Sequence, residues 1–287
     1  MKIAVVTDST AYLSAEQVKE NNIHVVPIPF TVDGQTYREG IDITTADFYK
    51  KLRTAREFPK TSQPPVGELL NLYEELGKQG YDTVISIHLA GTISGLIATL
   101  ESVKDQVPGV RVIPFDSRIT VILMGMLAVK AARMANAGKS ADEIIAALTK
   151  LRDTIGEYFV VDDLQNLVRG GRLSNTAAFI GSVLKIKPLL TFDEQTDEIV
   201  GFEKVRSTKK ALKRAESLFA ERIKNVDYPL HLFVIHANDP KTAEKWQHRL
   251  QKQYPNYQVD ISYFGPVIGT HLGEKALALT WMRDIDK

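Results

Sequence analysis

Ile3-Ala4-Val5-Val6-Thr7-Asp8-Ser9-Thr10 is a short β-branched apolar run that stops on an acid and two hydroxyls. It has the length and composition of one buried strand, and the elements C-terminal to it decide the fold class. Ser14 with Gln17 reads as a capping box, in which a hydroxyl and a side-chain carbonyl satisfy the orphan N–H groups of a helix start, so a helix is expected over 14–21. A second apolar run lies at 24–28, a helical pattern at 66–77 and a further strand at 83–87. Strands alternating with helical patterns in this order make an α/β domain.

Further along the chain, the same texture predicts a helix over 94–103, a strand over 110–115 and two consecutive helices over 119–137 and 141–155. The second of these opens on another capping box, Ser140 with Glu143. Two helices with no strand between them suggest a boundary, which divides the chain into domains 1–155 and 156–287. In the second domain a strand is expected over 158–161, then a short helix, a turn at Gly170-Gly171 and a helix near 176–184. A hairpin of strands 188–192 and 199–205 comes next, then helix 209–223, strand 230–237, helix 242–254 and strand 257–263. The segment 276–282 has helical propensity but the length and position of a final strand, and both readings stand.

Composition bounds the function. The 287 residues suffice for two domains or one large one, at about 150 residues per domain. There is no cysteine, which excludes disulfides, thiolate metal sites and cysteine-based redox catalysis. Thirty-six basic against 35 acidic residues leave a net charge of +1, without the electrostatic footprint of a protein that grips nucleic acid along its surface. The longest apolar stretch, at 121–129, is far short of the ~20 residues that span a bilayer. The first run ends at Asp8, too early for a signal peptide, so the expected location is cytoplasmic.

Most catalytic motifs are missing. None of His24, His88, His231, His236, His248 and His271 forms the i, i+4 pair with glutamate of a helical zinc hydrolase, so no metal is expected. Gly138-Lys139-Ser140 resembles the end of a phosphate-binding loop, but Arg133 stands where its first glycine is required. Ser94 lies near Gly91 and Gly95, a spacing that does not match a nucleophile elbow.

Hydroxyl-rich loops at expected element ends are what the chain offers instead: Asp8-Ser9-Thr10, Thr61-Ser62-Gln63, Ile93-Ser94-Gly95, Asp116-Ser117 and Thr270-His271. Each alone could be a cap or a turn. Together they describe a pocket in which hydroxyls and an imidazole hold a small anion. His271 is expected in a glycine-punctuated loop, Gly265 through Gly273, just past a strand end. Arg169-Gly170-Gly171-Arg172 adds two guanidinium groups beside flexible glycines, an arrangement suited to carboxylates and phosphates. Lys204, Arg206, Lys209, Lys210, Lys213 and Arg214 form the densest basic stretch, readable as a solvated helix face or as a surface for an acidic partner.

These motifs, in this order and over essentially the whole chain, resemble the DegV family, the fatty-acid-binding (FakB-like) subunits that work with a separate kinase subunit. The residues that carry the resemblance also include Gly40-Ile41-Asp42-Ile43 and Ile186-Lys187-Pro188. The resemblance implies a two-domain α/β fold with a mainly parallel N-terminal sheet, a mixed α/β C-terminal domain and the ligand between them. It implies that Thr61, Ser62, Ser94, Arg172 and His271 serve the fatty-acid carboxylate, and that segments such as 121–127 and 177–184 wall an apolar tunnel. Arg206, with Arg169, would face a FakA-like kinase subunit whose ATP phosphorylates the carboxylate, giving an acyl-phosphate for phospholipid synthesis. No catalysis is then expected of this chain alone, the bound fatty acid is its ligand rather than a cofactor, and a transient membrane-surface contact would serve ligand exchange. The alternative is a hydrolase or small-molecule transferase that uses Ser94 and His271 directly. The chain departs from the family pattern at Ala90, Thr92 and Leu96, at Val121-Ile122-Leu123 and at Gly273-Glu274-Lys275.

Overall fold

The computed structural model describes residues 2–175 and 186–287; the helix expected near 176–184 lies outside the described residues. Two compact units divide the chain, Met1–Asp153 and Thr154–Lys287.

The first unit begins with β1 (Ile3–Asp8), α1 (Ala15–Asn21) and β2 (Ile23–Val26), then β3 (Pro29–Val32), β4 (Gln35–Arg38), α2 (Thr45–Thr54) and β5 (Lys60–Thr61). It continues with α3 (Val66–Lys78), β6 (Thr83–His88), α4 (Leu96–Val103), β7 (Arg111–Asp116), α5 (Val121–Asn136) and α6 (Ala141–Arg152). The main sheet has the order β2-β1-β6-β7 and every pair is parallel. All six residues of β6 are buried, as a central strand covered on both faces requires. Both expected capping boxes form, at Ser14 with Gln17 and at Ser140 with Glu143.

Short polar strands form a second sheet, β4-β3-β5, which the sequence pattern does not announce. β3 pairs antiparallel with both neighbours, and its Phe30 packs against Tyr37 and Phe48. The turn between β3 and β4 uses Asp33 and Gly34, both at positive φ, as a tight two-residue hairpin demands.

The second unit comprises β8 (Gly156–Val160), α7 (Gln165–Arg169), β9 (Lys187–Phe192), β10 (Ile199–Val205), α8 (Thr208–Arg222) and β11 (Leu230–His236). It ends with α9 (Pro240–Gln253), β12 (Gln258–Tyr263), α10 (Pro266–Leu272) and β13 (Leu277–Arg283). The mixed sheet runs β10-β9-β8-β13-β11-β12, with β9 and β10 the expected hairpin and only β11 and β12 parallel. β13 resolves the ambiguity at 276–282: it is a strand, inserted between β8 and β11 with six of its seven residues buried. Leu232, Val234, Leu279 and Trp281 from this sheet pack with Phe219 of α8 and Trp246 of α9 in one core.

Candidate functional site

The parallel sheet of the first unit changes direction between β1 and β6, because β1 leads outward to β2 and β6 leads the other way to β7. The carboxyl ends of strands at such a switch point are where open α/β sheets leave a crevice. Ser9-Thr10 come directly after β1 there, Leu89 through Ser94 after β6, and Asp116-Ser117 close β7. The loop after β6 folds back on itself, with the Ile93 and Ser94 N–H groups both donating to Ala90 O at 3.1 Å. Ser94 Oγ accepts the Leu96 N–H at 3.3 Å, so this hydroxyl sits at the entrance to α4.

Thr61 reaches the same region through the small sheet. It pairs with Phe30, and the Ser62 N–H donates to Pro29 O at 3.1 Å. Gln63 ties this loop to the Ser94 loop: its Oε1 accepts from Thr99 Oγ1 at 2.9 Å, and a Cβ added to Gly95 would lie 2.5 Å from its Nε2. A side chain at Gly95 would displace the Gln63 amide, and Thr61, Ser62 and Ser94 fall on adjoining segments.

Arg172 and His271 belong to the second unit. The expected loop at 265–273 is instead α10, with Pro266 in its first turn and Gly273, at φ 75°, ending it. Proline at the start and a positive-φ glycine at the end are helix punctuation, which accounts for Pro266 and Gly273. His271 lies in the last turn of α10, against the end of α7. A Cβ on Gly170 would stand 2.5 Å from His271 Nδ1. Arg172 Nη1 donates to Gly170 O, which places the guanidinium beside the same ring. Burial, and then the Arg172 charge, push the His271 pKa down to about 4, so the ring is neutral at physiological pH. Burial also lowers the Arg172 pKa from its ordinary value.

Arg169 ends α7 and Arg206 lies between β10 and α8, both exposed. Val121 opens α5 at φ 61°, a left-handed conformation that a β-branched residue adopts only under strain, at the position where the chain departs from the family pattern. Its segment 121–127 is buried throughout, and the segment 177–184 lies outside the described residues. At the other departure, Glu274 accepts from Asn238 Nδ2 at 2.6 Å and Lys275 has φ 66°. Among the described residues no group of three or more His, Asp or Glu side chains is placed to hold a metal ion. Among the described helices, none is long and apolar enough to cross a membrane. A cavity of about 140 Å³ at the amino end of β1, beside Lys2, Asn22 and Tyr81, is below the ~300 Å³ at which ligand pockets begin and lies away from these residues.

Asp8, read from the sequence only as part of a loop at a strand end, and His88, given no role there, meet at this switch point. They form a wholly buried pair, Asp8 Oδ2 to His88 Nδ1 at 2.9 Å, at the carboxyl ends of β1 and β6. The available signal was Ser86 and His88 two apart in an apolar strand, and therefore on one face.

The sequence model described as "Uncharacterised protein, DegV family" matches residues 2–284. The chain belongs to the DegV family. A DegV domain-containing protein of Listeria innocua is 50% identical over 280 residues, 98% of each chain. Among solved structures, DegV of Bacillus subtilis, described as a fatty acid binding protein, is similar at 46% identity and a TM-score of 0.90, covering 99% of this chain and 100% of that one. A fatty acid binding DegV family protein of Streptococcus agalactiae is similar at 37% identity and a TM-score of 0.91, covering 99% of both chains. The two units, one with a parallel sheet and one with a mixed sheet, are the DegV architecture.

Hydrolysis by Ser94 and His271 would need a carboxylate that orients the imidazole and stabilises its cation. Such a group raises a histidine pKa. The Arg172 guanidinium beside His271 instead lowers it.

Proposed function

We propose that this DegV protein binds a long-chain fatty acid and presents its carboxylate to a separate, FakA-like ATP-dependent kinase subunit. The observation that carries the reading is the buried, neutral imidazole of His271 beside Arg172. It is a ready hydrogen-bond donor for an anion and a poor general base. The fatty-acid-binding relatives from Bacillus subtilis and Streptococcus agalactiae support the ligand class.

Thr61, Ser62 and Ser94 supply hydroxyls to the carboxylate, His271 supplies a ring N–H, and Arg172 orients that ring. A fatty-acid carboxyl group resembles Glu, with a pKa of ~4.3, so it is ionised before it reaches the protein and no base is required. Neutral donors orient the anion and leave an oxygen lone pair free, whereas a bidentate arginine clamp would stabilise its charge and blunt it. In the transfer, a carboxylate oxygen forms a bond to the γ-phosphorus of ATP on the partner, the bond to the β-phosphate oxygen breaks, and ADP leaves. The exposed Arg169 and Arg206 face that partner, and brief contact with a membrane surface would exchange the lipid.

Mass spectrometry of lipid extracted from the purified protein tests the binding step: a co-purified fatty acid is expected. Delipidated protein that takes up no fatty acid would overturn the proposal. For the partner step, R206A should retain fatty acid while acyl-phosphate formation with kinase subunit and ATP falls; unchanged formation would remove Arg206 from that role.

A further inference from the structure

We propose that Asp8 and His88 are positioning residues for the Ser94 loop, acting through a fully buried chain of hydrogen bonds; this rests on the reading of Ser94 as a carboxylate donor. Asp8 uses both oxygens. Oδ1 accepts from Thr10 N at 3.0 Å and from the Thr10 hydroxyl, and Oδ2 accepts from His88 Nδ1 at 2.9 Å and Leu89 N at 3.3 Å. Thr10 Oγ1 in turn accepts from Thr120 Oγ1 at 3.0 Å. One carboxylate thus fastens the residues just past β1 and β6 directly, and those past β7 through Thr10.

The chain continues inward from His88. Its Nε2 lies 2.7 Å from Ser86 Oγ, which lies 2.8 Å from the Tyr73 hydroxyl. Asp8, His88, Ser86 and Tyr73 are all fully buried. In the tautomer with Nδ1–H donating to Asp8, Nε2 accepts from the Ser86 hydroxyl, which accepts from Tyr73. Burial pushes the Tyr73 pKa up to about 12, so its proton stays in place. Acid, imidazole and serine stand in the order of a hydrolase triad. Their complete burial and the hydroxyl of Tyr73 on Ser86 leave no room for a substrate, and the direction of influence is outward, to the loop.

The lever to Ser94 is short. Asp8 holds the Leu89 N–H, the next residue is Ala90, and Ala90 O holds the Ser94 N–H at 3.1 Å. The Ala90 N–H donates to Ile119 O at 2.8 Å, and Gly91 N reaches both Asp116 oxygens at 3.2 Å, so the loop is also braced from β7. Four polar groups buried in a parallel-sheet core cost stability unless fully satisfied, and a fully satisfied network rigidifies what it touches. Here it touches the backbone from which the carboxylate donor projects.

The test compares affinities for oleic acid and its methyl ester in the wild type, D8N, H88Q, Y73F, S94A and D8N/S94A, each with a melting curve. A purely structural role would weaken acid and ester alike and leave their ratio unchanged. Positioning predicts that D8N and H88Q lower the acid-to-ester ratio about tenfold, as loss of a hydrogen bond to a charged group does, and Y73F about threefold. The double variant should lose no more than S94A alone, because both changes act through one hydroxyl. Where D8N melts below the assay temperature, H88Q and Y73F carry the comparison. A wild-type ratio in D8N, H88Q and Y73F where S94A lowers it, or full additivity in the double variant, would overturn the inference while the proposed function stands. A wild type with no preference for acid over ester would remove the proposed function and the inference with it.

Discussion

His271 shows how much a single side chain depends on its neighbours. Its residue type was legible as an anion donor, but its protonation state was not, because burial and the Arg172 charge come from residues far away in sequence. The ring's folded pKa, about 4, lies below the ~6.5 of an unfolded histidine. Between those values the unfolded chain binds the extra proton, so this group makes stability rise with pH across that window. His24 and His236, also lowered by burial, act with the same sign. H271Q should therefore remove part of the acid-side loss, seen as a shallower fall in melting temperature from pH 6.5 to 4; an unchanged profile would mean the ring is not held neutral. Gly170 is the complementary case. Its φ of −73° suits alanine, so the only obstacle to a side chain is spatial: His271 Nδ1 at 2.5 Å and Asn166 O at 3.0 Å from the added carbon. G170A should cost about 1–3 kcal/mol by overpacking and weaken fatty-acid binding, and most of that cost should vanish in the H271A background. Equal costs in both backgrounds would show that the ring does not rest on Gly170.

Among the elements, those with a local signal were legible and those fixed by tertiary contacts were not. The capping boxes at Ser14 and Ser140 could be read because each is defined within four consecutive residues. The segment 265–273 reads as a loop when its glycines outweigh Pro266, although proline at the first position and glycine at the end punctuate a helix. β8 carries a feature that no pattern announces. It pairs with β9 only at Phe159↔Leu190 and Val160↔Leu189. Beyond that point the Glu157 carboxylate takes over, accepting the Phe192 N–H and the Thr191 hydroxyl, each at 2.8 Å. Burial raises its pKa from 4.5 to about 7, against the lowering effect of those two bonds and of Arg222. The folded state here binds more protons than the unfolded one, so this contribution is present below pH 4.5 and is lost as pH rises through about 7. Its slope opposes that of His271. E157Q should remove it, leaving melting temperature to rise more steeply with pH than in the wild type between 4.5 and 7. A variant that tracks the wild type across that range would show Glu157 to be ionised throughout.

For the molecule as a whole, the α/β class and the order of the larger elements were legible because period-2 and period-3.6 patterns are written in consecutive residues. The β4-β3-β5 sheet was not, since strands of two to four residues with polar positions such as Gln35 and Thr36 carry too short a pattern to register. Which strand of the second unit lies beside which was equally hidden: β13 inserts between β8 and β11, far from β8 in sequence. Of the proposed site, the hydroxyls, His271 and the loops holding Asp8 and Gln63 were visible as residue types, while the contacts that Asp8, His88 and Gln63 make across the fold were not. This division bears on affinity. Neutral donors contribute modest net energy to holding an anion that water already solvates well, about 1.5–3 kcal/mol per hydrogen bond to a charged group. The tail must supply the rest, at ~0.8 kcal/mol for each buried methylene. Affinity for saturated acids should then rise roughly fourfold per added carbon and level off where the tail is fully enclosed. S94A should shift the whole series by one constant factor, because head and tail act on separate atoms. Calorimetry across saturated acids of increasing length measures both slope and offset. Affinities that do not change with chain length would refute a buried tail, and a slope altered by S94A would refute the separation of head from tail.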